Sequence, residues 1–139
     1  MVGIKLYTAA LIVCLLLSAC LFSRREAAPL PELTGTWRGA VQDSVSGGGT
    51  LALDLVRLRE DEGFRLRGTW QLDFEGSTRA GDIAYGGGAE NGLSLRLDAA
   101  PNCSYDFEGS VRSRVIRGTY LTEGCAPYAV GTLELEKQP

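Results

Sequence analysis

From Leu33 onward, large apolar side chains recur at every second position, with no stretch of helical spacing. The clearest run is Phe64, Leu66, Gly68, Trp70, Leu72 and Phe74, which alternate with Arg65, Arg67, Thr69, Gln71 and Asp73. Successive side chains of an extended strand point to opposite faces, so this spacing gives each strand one apolar face and one wet face. A chain written this way must either stack two sheets or curl one sheet onto itself. The fold class is therefore all-β.

Seven further runs follow the same rule. Over 33–42, Leu33, Gly35, Trp37, Gly39 and Val41 face one way and Thr34, Thr36, Arg38 and Gln42 the other. The run over 50–59 starts with Leu51, Leu53 and Leu55 inward and shifts phase at Val56, which predicts a bulge. Over 80–85 the sizeable inward residues are Ile83 and Tyr85, and the strand is expected to stop at Gly86-Gly87-Gly88. Gly47-Gly48-Gly49 is likewise read as loop, since neither glycine run is followed by the Lys-Ser/Thr and helix of a phosphate cradle. Leu93, Leu95 and Leu97 mark the fifth strand, and Cys103, Tyr105, Phe107, Gly109 and Val111 the sixth. Ile116, Gly118 and Tyr120 mark the seventh, and Gly131, Leu133 and Leu135 the eighth. No charged residue falls on the inward face of the clear runs. Eight short sequential strands predict an antiparallel up-and-down barrel over 33–136, because closure at eight strands removes both exposed edges.

A short pattern recurs within these strands: Thr34-Gly35-Thr36-Trp37, Arg67-Gly68-Thr69-Trp70, Arg117-Gly118-Thr119-Tyr120 and Val130-Gly131-Thr132-Leu133. A glycine beside a bulky inward residue lets a strand coil and gives the ring room. At these residues the chain resembles the lipocalin and avidin-like barrels, in which a Gly-x-Trp on the first strand plugs the floor. The resemblance implies the same closed barrel. It does not extend to biotin, because the Asn expected two positions after the first Trp is Gly39 here. Trp37, Trp70, Tyr105, Phe107 and Tyr120 are the candidate barrel-lining residues. An eight-stranded barrel is just wide enough to be filled by such rings or to hold one small apolar ligand between them.

The N-terminus carries a different signal. Lys5 precedes a mostly apolar run from Leu6 to Leu17, too short to span a bilayer, and Leu17-Ser18-Ala19-Cys20 closes it before Arg24-Arg25-Glu26. These residues resemble the lipobox of bacterial lipoproteins. The resemblance implies a signal peptide over 1–19, acylation of Cys20, and a lipidated tether over 20–32 whose Ala-Ala-Pro-Leu-Pro stretch resists helix and sheet alike. An uncleaved anchor or an ordinary secretory peptide is the alternative, and either would still export the chain. Two or more acyl chains hold a protein stably, so the expected location is the bacterial cell envelope. Leu21 stands where an Asp would signal inner-membrane retention, which favours the outer membrane.

Cys14 is lost with the signal peptide and Cys20 is acylated, leaving Cys103 and Cys125 as a pair expected to bond in an oxidising compartment. A zinc pair is the rival, without an evident third or fourth ligand. Consecutive hairpins of a meander alternate between barrel ends, so the loops at 43–49, 75–78, 99–102 and 123–127 are expected to share one end, with the disulfide on it. The tether enters strand one from the other end, which makes the bonded rim membrane-distal.

Function is constrained mainly by what is missing. The chain has no histidine, the commonest acid–base group and metal ligand, and Lys137 is the sole lysine after Lys5. An activated nucleophile lacks its base, so no catalytic residues, metal or cofactor are expected. Glu60-Asp61-Glu62 lacks the spaced carboxylates of a calcium loop and reads as a solvated turn. With 14 basic and 17 acidic side chains, the chain has no electrostatic footprint for nucleic acid. The expectation is a non-catalytic binding module. It either carries a small apolar ligand or presents its distal loops to a protein, as small periplasmic enzyme inhibitors do.

Overall fold

The computed structural model describes residues 32–59 and 63–139. The signal peptide, Cys20, most of the tether and the Glu60-Asp61-Glu62 turn lie outside the described residues. Eight strands follow one another: β1 (Gly35–Asp43), β2 (Gly47–Arg59), β3 (Phe64–Phe74), β4 (Ser77–Ala89), β5 (Gly92–Ala100), β6 (Cys103–Arg112), β7 (Val115–Glu123) and β8 (Val130–Lys137). Each pairs antiparallel with the next, and β8 returns to β1 in a register running from Trp37 opposite Lys137 to Asp43 opposite Gly131. The sheet is thus a closed up-and-down barrel, as the alternation predicts. Among the described residues there is no helix.

Inward rows from all eight strands fill the barrel. At the end where β1 begins, Leu33, Trp37, Ile116 and Leu135 have no accessible surface, and Leu53 and Val111 have 1%. Side chains lining a void large enough for water would show such surface, so this end is packed solid. Leu33 precedes β1 yet joins the core because its carbonyl accepts the Trp37 indole N–H at 2.9 Å. Lys137 closes the same end, with its ammonium 5.8 Å from the Trp37 ring centroid and donating to the Glu32 carbonyl at 3.0 Å. That ties the last strand to the entry of the chain.

Three expectations about individual strands are corrected. The β2–β3 ladder runs unbroken from Gly49 opposite Phe74 to Arg59 opposite Phe64, so there is no bulge in it at Val56, whose side chain simply faces solvent. The irregularities fall on β4 and on the β5–β6 ladder instead. Between Ile83, opposite Leu97, and Tyr85, opposite Arg96, β4 spends two residues for one of β5. The extra residue reverses the faces, so Tyr85 is 58% exposed on the outer wall and Gly86 points inward opposite Leu95. Finally, neither glycine run is a loop: Gly47–Gly49 open β2 and Gly86–Gly88 lie within β4. A methyl on Gly88 would run into the Gly92 carbonyl oxygen, and one on Gly86 would come within 2.9 Å of the Leu66 Cβ. Glycine there serves close strand approach in a curved wall, which local propensity reads as a break.

Candidate functional site

The turns after β1, β3, β5 and β7 gather at the end opposite Leu33, where Asp43, Val45, Arg79, Ala100, Tyr105 and Pro127 help line a concavity of about 340 Å³. Cys103 and Cys125 are bonded on this rim with Cα atoms 4.5 Å apart. The β6–β7 ladder explains how they meet. Ser104 stands opposite Glu123, so Cys103, the first residue of β6, closes on the chain leaving β7. The bond fastens the short β5–β6 turn to the longer β7–β8 loop. That loop is further held by Thr122, whose amide donates to the Ala129 carbonyl at 2.9 Å while its hydroxyl accepts the Ala129 N–H at 2.7 Å.

One residue of this rim corrects the expected charge-free interior. β1 runs one position past Gln42, and Asp43, in phase with Val41, turns inward with 4% exposure. Its carboxylate accepts the Val45 and Ser46 amides at 2.8 and 2.7 Å, closing the β1–β2 turn, and also accepts the Tyr120 hydroxyl. Burial pushes the Asp43 carboxyl up, but these donors outweigh it and hold it below the usual carboxylate range. Burial, then the bond to Asp43, raises the Tyr120 hydroxyl far above the ordinary tyrosine range. Tyr105 is raised too, by burial against the opposing pull of Arg79. The Arg79 guanidinium donates to the Tyr105 hydroxyl at 2.7 Å and lies 5.9 Å from its ring centroid.

Of the candidate lining residues, Trp70, Tyr105 and Tyr120 form a contiguous aromatic layer under the rim, with centroids 6.3 and 5.4 Å apart. Phe107 stands opposite Tyr120 in the ladder with its ring over Gly109 and Gly118. Trp37 lies at the other end and does not join them. The Tyr120 ring fills the space over Gly131, where an added Cβ would strike it. Arg79 and Asp43 were not singled out by sequence reading. Asp43 carried a signal, since it continues the inward phase of Val41 and precedes two serines in a turn. Arg79 carried none.

These polar groups are engaged with one another: among the described residues no buried side-chain nitrogen or oxygen lacks a hydrogen-bond partner. Such a network fixes loops and rings in place. Among the described residues, no cluster of three or more His, Cys, Asp or Glu is arranged to hold a metal. Compared with known proteins, the chain matches no family model and no curated protein.

Proposed function

We propose that this protein is a lipid-anchored lipoprotein of the bacterial envelope whose lipocalin- or avidin-like barrel is a non-catalytic interaction module. Acylated Cys20 would hold it at the membrane, most simply the outer membrane, and the disulfide-bonded rim would face away to meet a partner protein. The observation that carries this reading is the filled interior. The core residues from Leu33 to Leu135 are all at 8% exposure or less, which leaves no internal room for a drug-sized ligand. What such a barrel still offers is its surface, and the rim is where loops are cross-linked and hydrogen-bonded into fixed shape, a pre-organisation that favours binding. Inhibition of an envelope enzyme is one form this role would take.

The absence of histidine from the sequence argues against acid–base catalysis. Carriage of a small apolar ligand is the competing reading, and it would need Trp70, Tyr105 and Tyr120 to part. Native mass spectrometry of the protein released from its lipid discriminates between them. The interaction reading expects the bare polypeptide mass, whereas a stoichiometric co-purified small molecule would establish the carrier.

A further inference from the structure

Six large apolar side chains stand in solvent among the described residues: Val45, Val56, Tyr85, Leu121, Tyr128 and Val130. Four of them belong to one corner of the rim. Leu121 and Val130 oppose each other across the last rung of the β7–β8 ladder, each 45% exposed. Val130 is bonded twice to Ser44, its carbonyl accepting the Ser44 amide at 2.9 Å and its own amide donating to the Ser44 hydroxyl at 3.0 Å. Val45 follows in that turn, and Tyr128 belongs to the β7–β8 loop. Single exposed apolar residues need no explanation, but the Leu121–Val130 pair, with Val45 and Tyr128 on the two segments that the Ser44–Val130 bonds tie together, does.

Beside this corner the outer wall over β6, β7, β8 and β1 hollows into an open groove of about 730 Å³. Its charged lining is acidic throughout: Asp43, Asp106 and Glu108, with no lysine or arginine. Asp43 is already satisfied and Asp106 is paired with Arg96 at 2.8 Å, whereas Glu108 makes no ion pair among the described residues. Glu108 is exposed one strand from Thr119, and Asp106 stands opposite Leu121, so carboxylates flank the apolar corner.

We propose that this corner, Val45, Leu121 and Val130 with Glu108 beside them, docks a partner protein that presents an apolar side chain flanked by lysine or arginine. The proposal rests on the reading of the barrel as an interaction module and names the surface and the chemistry that it would use. An apolar centre with a charged margin is the anatomy of a protein interface. Covering Glu108 without a cation would strand a desolvated carboxylate, so the partner must bring one. A second copy meeting this surface across a two-fold axis would set the same carboxylates against each other. Anionic lipid headgroups are repelled for the same reason, and an open groove leaves a small apolar ligand mostly in water.

The test uses the full-length, isotope-labelled protein in detergent and short synthetic peptides alternating leucine with arginine, with leucine–glutamate and serine–arginine peptides as controls. The leucine–arginine peptide should shift the amides of Val45, Glu108, Leu121 and Val130 saturably and bind more weakly as salt is raised. Leu121→Ser and Glu108→Gln, both at exposed positions, should each weaken that binding by about tenfold while leaving the rest of the spectrum unchanged. Absence of saturable binding, equal binding of the leucine–glutamate peptide, or indifference to Leu121→Ser overturns the proposal. Concentration-dependent dimerisation in sedimentation, abolished by Leu121→Ser, overturns it in favour of a second copy. Shifts centred elsewhere on the rim overturn this corner but leave the module reading intact; that reading fails if native mass spectrometry finds a ligand inside the barrel.

Discussion

Trp37 and Asp43 sit on the same strand, both point inward, and stabilise the barrel by different physics. Trp37 is a fully buried ring whose one polar atom is satisfied by Leu33, so Trp37→Ala empties a large site and should cost about 3–5 kcal/mol in a denaturant melt. Asp43 instead gathers three donors from the β1–β2 turn and β7. Asp43→Asn should lower stability by about 1–3 kcal/mol at neutral pH. The pH dependence has a definite sign. The folded carboxyl lies below its unfolded value of about 3.9, so its contribution is fully present above that value and is lost as pH falls through the folded pKa. The gap between wild type and Asp43→Asn in urea midpoints should therefore be flat from about pH 7 to 5 and narrow below about pH 4. Tyr120 has the opposite sense. Its raised pKa gives stability present below the ordinary value of about 10 and lost at higher pH, so Tyr120→Phe should flatten the alkaline limb of the stability profile.

Closure depends on the seam between the first and last strands. Gly39 faces Leu135 across that seam, and an added Cβ would collide with the Glu134 carbonyl oxygen and come within 2.8 Å of the Leu135 Cα. Gly39→Ala should thus push β8 away from β1 and cost about 1–3 kcal/mol. Gly48→Ala is the matched control, because its Cβ would meet only the Gln42 side-chain oxygen at 3.8 Å, and it should stay within about 0.5 kcal/mol of wild type. The same backbone contact excludes an asparagine at the position where the avidin-like pattern would have one. The disulfide acts on another pair of elements. It closes a separation of 22 residues around a β6–β7 ladder that continues to Arg112 opposite Val115 without it. Replacing Cys103 and Cys125 by alanine should lower stability by about 3 kcal/mol and leave the barrel closed. Melts with and without reductant, together with far-ultraviolet circular dichroism, check both halves.

At the scale of the whole molecule, the two ends of the barrel are built differently. The described chain enters β1 at the Trp37 end, and the disulfide, Asp43 and the apolar corner occupy the other. If Cys20 is acylated, Cys20→Ser should give an unprocessed precursor without lipid, because only a thiol can accept the chain. Detergent partitioning and the mass of the N-terminal peptide read the outcome, and a Ser variant that still carries lipid would remove the anchor from the proposal.

The sequence alone determined the strand count, the antiparallel order and most of the core, because side-chain direction in a strand is a local property with period two. Leu51, Leu53, Leu55, Trp70 and Leu95 could be placed inward from spacing alone. Their burial follows from the need of each apolar face for another. Tyr85 could not be placed, since one extra residue on β4, opposite a partner on β5, reversed every face beyond it. Tri-glycine was also ambiguous, because freedom to turn and room for a close neighbour call for the same residue. The polar cluster was least legible. Arg79 meets Tyr105 across 26 positions and Tyr120 meets Asp43 across 77. Those separations collapse to hydrogen-bond distance only once the barrel has closed, and closure is a property of the whole sheet.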